Sequence, residues 1–180
     1  GSVEAFNDSE VAGWRPVVTG IGYPIGGGPQ VEPPIGYWNF DGNVNDTSGH
    51  GHAGALNGAT FSNEAPAQLG GGQSLSFDGS NDYVSVQIDV SETAYTASFW
   101  FRAESSGRGM FAVVDNDLGV GGHDRHVYLN AGNIATRVWS NQTISTSGRN
   151  FADGQWHHAA HVVGPGGQKI YVDGELVRSG

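Results

Sequence analysis

Hydrophobic and polar residues alternate along most of the chain in short runs separated by Gly, Asn, Asp and Ser. Because successive side chains of a strand point to opposite faces, this period of two predicts strands that bury one face. Turn residues at such regular intervals are typical of an antiparallel sandwich or barrel. The predicted strands span residues 36–40, 74–77, 83–87, 97–102, 110–114, 126–130, 135–141, 155–163 and 169–177, with one more near 14–18.

Helix is predicted to be nearly absent, because no segment repeats apolar residues at positions i, i+3, i+4 and i+7. The clearest local prediction is a hairpin at Asp173-Gly174, which stands between the runs Ile-Tyr-Val and Glu-Leu-Val. Asp-Gly favours the two-residue type I′ turn, whose twist matches that of paired strands. The pattern as a whole predicts an all-β, antiparallel fold.

The alternation places large apolar residues on one face of the strands, while aromatic and polar residues share the other face of three strands. The residues assigned to the core are Trp38, Phe40, Phe77, Phe99 and Trp156. A sugar ring offers an apolar face, on which an aromatic ring stacks, and hydroxyls that polar side chains bind. The predicted carbohydrate-binding residues are Trp100, Arg102, His126, Tyr128, Arg137 and Trp139. The alternative places these tryptophans in the core, since a shift of one residue in register exchanges the two faces.

The length of 180 residues suits a single domain, and 37% hydrophobic with 11% aromatic residues is too much for a disordered chain. Acidic residues outnumber basic ones by 18 to 8, which gives a net charge of −10 at neutral pH. Such a chain repels nucleic acid, so DNA and RNA are excluded as partners. The absence of Cys excludes disulfides and a Cys nucleophile, and no apolar run is long enough for membrane insertion.

The first 34 residues differ from the rest of the chain. Gly1-Ser2 resembles the remnant of an expression tag, and residues 20–34 are rich in Gly and Pro, which interrupt regular structure. We therefore predict an arm or linker over residues 1–34 and a folded domain over residues 35–180.

Several longer strings share the order and spacing of a known family. They are Tyr-Trp-Asn-Phe-Asp-Gly at 37–42, Leu-Ser-Phe-Asp-Gly-Ser-Asn-Asp-Tyr-Val at 75–84, Ser-Phe-Trp-Phe at 98–101, Trp-His-His at 156–158 and Ile-Tyr-Val-Asp-Gly at 170–174. Over residues 35–177 the chain resembles the laminin-G-like, pentraxin-like branch of the concanavalin A-like lectin/glucanase sandwiches. The resemblance implies a two-sheet antiparallel jelly roll that serves as an accessory module of a secreted or cell-surface protein.

Domains of this kind normally continue past the Tyr-Val-Asp-Gly hairpin with further strands, whereas this chain stops at Gly180. The resemblance therefore implies a domain that is incomplete at its C-terminus, with its missing strands supplied by the N-terminal arm or by another chain. An uncovered sheet edge readily pairs with a further strand. We predict strand complementation or an oligomer formed through sheet edges.

Asp41, Asn43, Asn45 and Asp46 form the strongest candidate metal site. Calcium takes about six to eight oxygen ligands, which alternating Asp and Asn side chains and loop carbonyls supply. The alternative is a turn in which these side chains bind their own backbone. In pentraxins, an Asp-Asn pair in a comparable loop binds calcium; the matching position here is Asp124, but Arg125 stands where the second oxygen ligand would be.

Catalysis is not predicted, because the Glu-x-Asp-x-x-Glu string of the retaining glucanases in this superfamily is absent, as is Gly-x-Ser-x-Gly. The histidines at 50 and 52 and at 123 and 126 have spacings that suit zinc, but surface imidazoles are the simpler interpretation. We expect a non-catalytic, calcium-stabilised module that binds carbohydrate or anchors a larger secreted or cell-surface protein. The alternatives are a protein-interaction module that pairs through its sheet edges and an accessory fragment of a glycan-active enzyme.

Overall fold

The computed structural model describes residues 2–7, 11–12, 15–19, 33–91, 93–114, 123–138 and 142–180. The strands in these segments, numbered along the chain, are β1 (Ser2–Asn7), β2 (Val11–Ala12), β3 (Arg15–Thr19), β4 (Gly36–Tyr37), β5 (Gly54–Asn57), β6 (Thr60–Ser62), β7 (Ser74–Phe77), β8 (Asp82–Gln87), β9 (Tyr95–Arg102), β10 (Arg108–Val114), β11 (His123–Asn130), β12 (Asn133–Val138), β13 (Gln142–Ser145), β14 (Trp156–Gly164), β15 (Gly167–Val172) and β16 (Glu175–Ser179). Within the described segments the one helical element is a 3-10 turn, Ala67–Leu69. The all-β prediction is confirmed.

Two large antiparallel sheets make up most of the fold. The seven-stranded sheet has the order β13-β12-β11-β10-β1-β8-β5, and the six-stranded sheet has the order β16-β15-β14-β9-β3-β4. A small sheet of order β2-β7-β6 accompanies them, which the sequence did not predict. The sequence also did not predict β5, β6 or the separate strand β13, and β4 is shorter than the predicted strand over residues 36–40.

Strands from the first 19 residues lie inside both large sheets. β1 pairs with β10 on one side and β8 on the other, and β3 pairs with β9 and β4. The predicted strand near residues 14–18 corresponds to β3. The segment predicted as an arm thus supplies strands to the sheets, while residues 20–32 of its Gly- and Pro-rich part lie outside the described residues.

The core lies between the inner faces of the two large sheets. In β9 every second side chain is buried and the intervening ones are half-buried, as a period of two requires. The predicted core residues Trp38, Phe40, Phe77 and Phe99 are each at most 4% exposed, so these four assignments are confirmed. They belong to one continuous cluster that includes side chains of both sheets.

Trp156, the fifth predicted core residue, is not buried, and this assignment was wrong. It is half-buried at the start of β14 and pairs with Arg102, on the outer face of the six-stranded sheet. The inward positions of β14 are instead occupied by Ala159, His161 and Val163. The error arose because β14 carries apolar residues at both odd and even positions, so alternation alone does not determine which face is buried.

The hairpin between β15 and β16 is the predicted one. Val172 pairs with Glu175, which leaves Asp173 and Gly174 as a two-residue loop. Both loop residues have positive φ, 51° and 84°. This is the type I′ geometry that Asp-Gly favours, so the prediction is confirmed.

A chain of buried polar side chains connects the two large sheets. Tyr95 donates its hydroxyl hydrogen to Nδ1 of His161 over 3.0 Å, and Nε2 of His161 donates to Oε1 of Gln168, also over 3.0 Å. The same oxygen accepts a 2.8 Å hydrogen bond from the Thr136 hydroxyl, and Nε2 of Gln168 donates to the carbonyl of Gln142. Burial lowers the pKa of His161 to about 4, so its imidazole is neutral at pH 7 and each of its nitrogens has a partner.

Candidate functional site

The structure divides the predicted carbohydrate-binding residues between two sheets. Trp100 and Arg102 lie on β9 of the six-stranded sheet, whereas His126, Tyr128 and Arg137 lie on β11 and β12 of the seven-stranded sheet. All five are half-buried and alternate with core residues, so they occupy outer faces. Because the two inner faces enclose one core, the two outer faces point in opposite directions. The sixth predicted residue, Trp139, lies outside the described residues.

We call the first of these outer faces the tryptophan surface, and antiparallel pairing of β9 with β14 assembles it. Trp156 lies opposite Arg102, His158 lies opposite Trp100, and Ala160 lies opposite Ser98. Residues directly opposite each other in such a pair share a face and are close enough for their side chains to touch. The tryptophan surface comprises Ser98, Trp100, Arg102, Trp156, His158 and Glu64.

Arg102 connects the aromatic and acidic parts of the tryptophan surface. Its guanidinium carbon lies 5.6 Å from the centre of the Trp156 ring, within cation–π range. Its Nη2 also forms an ion pair with a carboxylate oxygen of Glu64. The side chain of Arg102 is only 24% exposed, so these two contacts fix its position. The Glu64 carboxylate balances its charge.

His158 provides a neutral polar group beside Trp100. Its Nε2 lies 2.7 Å from the Ser98 hydroxyl oxygen, and its ring centre lies 5.2 Å from that of Trp100. Burial lowers the pKa of His158, although the nearby Asp173 carboxylate acts in the opposite direction. The imidazole is therefore uncharged at neutral pH. With Arg102 paired to Glu64, the whole surface is aromatic, capable of hydrogen bonding and nearly without net charge.

The outer face of the other sheet carries what we call the histidine–tyrosine surface, formed by His126, Tyr128 and Arg137. The rings of His126 and Tyr128 stack with their centres 4.8 Å apart. Arg137 lies opposite His126 on the neighbouring strand. Chemically this surface resembles the first, with stacked rings next to a guanidinium, but it belongs to different strands.

Asp46, a predicted calcium ligand, is held by its own loop. Its carboxylate accepts hydrogen bonds of 2.8–3.0 Å from the backbone amides of Tyr37, Ser48 and His52 and from the Ser48 hydroxyl. Burial alone would raise the pKa of Asp46, but these four hydrogen bonds outweigh it and hold the pKa well below its usual range. The two oxygens thus have two donors each, and the carboxylate is satisfied without a cation.

Asp41 and Asn43, two of the other predicted ligands of the 41–46 loop, also bind backbone amides. Asp41 accepts a 2.8 Å hydrogen bond from the amide of Gln73, and the side-chain oxygen of Asn43 accepts one of 2.9 Å from the amide of Asn45. Among the residues with a described position, no three His, Asp or Glu side chains form a group that could hold a metal ion. The hydrogen bonds of this loop support the alternative of a turn whose side chains bind its own backbone. Calcium binding stays a prediction.

The second predicted calcium position involves Asp124 and Arg125. Asp124 lies in β11, and its side chain is outside the described residues. Arg125 is 3% exposed and points into the protein, where its Nη1 donates 2.8 Å hydrogen bonds to the carbonyls of Val90 and Ser91. The guanidinium of Arg125 therefore lies inside the protein rather than at a surface cation site. It supports the chain between β8 and β9.

Sequence reasoning missed three members of the tryptophan surface, namely Glu64, Trp156 and His158. Trp156 and His158 lie next to Arg102 and Trp100 because β9 pairs with β14, strands that are separated by more than fifty residues of chain, and Glu64 comes from the segment that follows β6. Alternation within one strand carries no information on which strand lies next to it. The sequence does contain one indication of this surface: aromatic and polar residues occupy alternate positions in both β9 and β14.

Comparison with protein families supports the same fold. The model of the laminin G-type family, described as the concanavalin A-like lectin/glucanases superfamily, matches residues 78–180. Searches of curated proteins and of solved structures found no match. No helix in the described residues is long and apolar enough to cross a bilayer. With more than half of its residues matched, the chain belongs to the laminin G-type family of the concanavalin A-like lectin/glucanases superfamily.

Proposed function

We propose that this protein is a non-catalytic carbohydrate-binding module that acts through the tryptophan surface and belongs to a secreted or cell-surface protein. The observation that carries the proposal is the arrangement of two half-buried indoles, Trp100 and Trp156, beside hydrogen-bonding groups on one sheet face. Family membership supports the same class, since such modules bind carbohydrate or mediate adhesion and are typically extracellular.

The chemistry of the surface favours a neutral saccharide. Aromatic rings stack on the C–H face of a sugar, while the hydroxyl of Ser98, the imidazole of His158 and the guanidinium of Arg102 bind hydroxyl groups. Because Glu64 balances Arg102, the surface has no uncompensated cation for an acidic sugar. The net charge of −10 also disfavours an anionic ligand.

The non-catalytic assignment rests on the acid groups near this surface. Glycoside hydrolysis by the usual mechanisms needs two carboxyl groups, one on each side of the scissile bond. The described carboxylates at or beside the tryptophan surface, Glu64 and Asp173, are both engaged: Glu64 is ion-paired with Arg102, and Asp173 accepts a hydrogen bond from the backbone amide of His158 and contacts the imidazole of His157. The surface is therefore suited to holding a saccharide rather than to cleaving one.

A second candidate function is protein interaction through a sheet edge. β16 is an edge strand of the six-stranded sheet, and Leu176 on it is 53% exposed, the most exposed of the large hydrophobic side chains described. An exposed edge with an apolar side chain can pair with a strand of another protein.

A glycan array distinguishes the two functions. We expect the wild-type protein to bind neutral saccharides, and Trp156→Ala to weaken binding about tenfold through the loss of one stacking contact. Leu176→Ala, on the edge of the same sheet, is the matched control and should bind like the wild type. An array on which the wild type binds no saccharide, or on which Trp156→Ala binds as well as the wild type, would overturn the proposal.

A further inference from the structure

We infer that His50 and His52 form a binding site for a divalent transition-metal ion, which the Nε2 atoms of the two imidazoles hold. The ion is one that prefers nitrogen ligands, such as Cu²⁺, Ni²⁺ or Zn²⁺, and not Ca²⁺, which prefers oxygen. The inference is independent of the proposed function, because these histidines lie in the loop between β4 and β5, outside the tryptophan surface.

The first observation is that the two rings lie close together at the protein surface. Their centres are 6.4 Å apart and their planes differ by 21°. His50 is exposed and His52 half-buried, and no heavy atom lies within 4 Å of the place where Gly51, between them, would carry a Cβ. Two imidazoles bound to one ion through nitrogens at about 2.0–2.1 Å have ring centres about 5–6 Å apart. Rotation of the exposed His50 side chain closes this small difference.

The second observation is the tautomer of His52, which a hydrogen bond fixes. Its Nδ1 lies 2.8 Å from the backbone carbonyl oxygen of Gln87. A carbonyl oxygen only accepts hydrogen bonds, so Nδ1 carries the hydrogen and donates it. In the neutral imidazole the lone pair is then on Nε2, which has no hydrogen-bond partner in the part of the chain that the structure describes.

The third observation is that a chain of hydrogen bonds gives His50 the same tautomer. The Ser48 hydroxyl has one hydrogen, which it donates to the Asp46 carboxylate over 2.8 Å, because the other acceptor, the Ile35 carbonyl, is uncharged and lies 3.4 Å away. The Ser48 oxygen therefore accepts a hydrogen bond from Nδ1 of His50, at 3.1 Å. The lone pair of His50 is again on Nε2, to which no described residue donates.

These hydrogen bonds are the kind that prepare an imidazole to bind a metal. A ligating imidazole usually donates its other N–H to a carbonyl or a carboxylate, which fixes the ring and makes the ligating nitrogen more basic. The Gln87 carbonyl has this position behind His52, and the Ser48 hydroxyl, bound to Asp46, has it behind His50. Asp46 also accepts a hydrogen bond from the backbone amide of His52, so one carboxylate anchors both residues.

The number and type of ligands predict which ions bind. Two protein ligands leave the other coordination positions to water, and a pair of nitrogen ligands binds Cu²⁺ more tightly than Ni²⁺ or Zn²⁺. The net charge of −10 favours the approach of any cation. We therefore expect Cu²⁺ to bind most tightly of the three, and an excess of Ca²⁺ not to displace it.

Titration with CuCl2 at neutral pH, followed by electron paramagnetic resonance, tests the site. We expect one tightly bound equivalent with hyperfine couplings from two nitrogen ligands, and binding about tenfold weaker or less in His50→Asn and in His52→Asn. Asn keeps an N–H donor in place of Nδ1 but has no atom equivalent to Nε2, so both variants can retain the hydrogen bonds of the loop. Asn45→Ala, at an exposed position of the same loop, is the matched control and should bind like the wild type.

Nitrogen NMR of the histidine side chains provides the second readout. The metal-free protein should show the Nδ1–H tautomer at both positions, and diamagnetic Zn²⁺ should shift both Nε2 signals. Melting curves check that each variant is folded. A wild type that binds no copper, or copper binding that is equally strong in the two Asn variants, would overturn the site. The Nε2–H tautomer at either histidine, or displacement of the copper by Ca²⁺, would also overturn it.

Discussion

Asp46 fixes the loop between β4 and β5 by accepting four hydrogen bonds, three of them from backbone amides. Hydrogen bonds to a charged acceptor contribute more than neutral ones. We predict that Asp46→Asn lowers the free energy of unfolding by about 2 kcal/mol, which corresponds to a fall in melting temperature of about 4–8 °C. Asp78→Asn is the control. The Asp78 carboxylate accepts a hydrogen bond from the amide of Ser80, so we expect a smaller loss of stability than in Asp46→Asn.

The same variant tests the calcium prediction. If Asp46 acts only by binding backbone amides, calcium has no effect: the wild type melts at one temperature in calcium and in chelator, and the variant melts at its own lower temperature in both. A wild-type melting temperature that rises with calcium, and no longer rises in Asp46→Asn, would instead show the cation site that the sequence predicts. Because the pKa of Asp46 is below its usual range, its contribution is present above pH 4 and is lost as the pH falls further.

His161 makes stability depend on pH in a different window. Its pKa is about 4 in the folded protein, against 6.5 in an unfolded chain, so the unfolded state binds more protons between these values. Stability is complete above pH 6.5 and falls as the pH drops toward 4. Between pH 7 and pH 4.5 we expect a loss of about 2 kcal/mol from this residue.

Urea unfolding of wild type and His161→Gln at both pH values measures this contribution. Gln cannot be protonated, so the variant should lose less stability on acidification than the wild type. His158 also has a lowered pKa, but it is present in both proteins, and its effect cancels in the comparison. Equal losses in the two proteins would contradict the assignment of the titration to His161.

At the scale of the elements, β14 shows what sequence periodicity can and cannot predict. Residues 97–102 alternate large apolar with polar or amphipathic side chains, and β9 was predicted with the correct inner face. Residues 156–163 are apolar at both parities, and Trp156 was placed on the wrong face. Alternation predicts which face of a strand is buried only where the residues of one face are clearly more polar than those of the other.

Substitutions on the two strands test these faces. We predict that Trp156→Ala, on the outer face, lowers the free energy of unfolding by about 1 kcal/mol, whereas Phe99→Ala, in the core, lowers it by about 3–5 kcal/mol. Chemical denaturation of both variants gives the comparison. A larger loss for Trp156→Ala than for Phe99→Ala would reverse the assignment of faces.

Strand pairing lies beyond what the sequence predicts locally. The existence of most strands follows from alternation and turn residues, but the insertion of β1 between β8 and β10 depends on contacts between distant parts of the chain. The Gly and Pro residues before residue 35 led to the prediction of a linker, because these residue types predict only the local conformation of the backbone. They contain no information on the strands that precede them.

The position of β1 and β3 predicts the effect of truncation. Removal of residues 1–19 deletes one internal strand from each large sheet, so we expect the remaining chain to lose cooperative unfolding. A synthetic peptide of residues 1–19, added to the truncated chain, should restore a cooperative transition by pairing with the exposed strands. Unchanged, cooperative unfolding of the truncated chain alone would contradict the placement of these strands.

At the scale of the whole molecule, the two large sheets enclose one core and carry half-buried aromatic and polar side chains on their outer faces. The core and the chain of buried polar groups from Tyr95 to Gln142 join the sheets. The family and sheet architecture were accessible from the sequence, because short motifs and alternation persist through the chain. The sequence did not predict that the sugar-binding residues would lie on two separate surfaces, because this separation depends on which sheet each strand joins.

Titration of tryptophan fluorescence with neutral oligosaccharides is the most direct test of the claim that the tryptophan surface binds saccharide. A sugar stacked on Trp100 or Trp156 changes the environment of the indole, so we predict a saturable change in wild-type emission. The change should disappear in the Trp100→Ala, Trp156→Ala double variant and persist in Leu176→Ala. Emission from the wild type that does not respond to any neutral saccharide, or a response that survives the double variant, would contradict the claim.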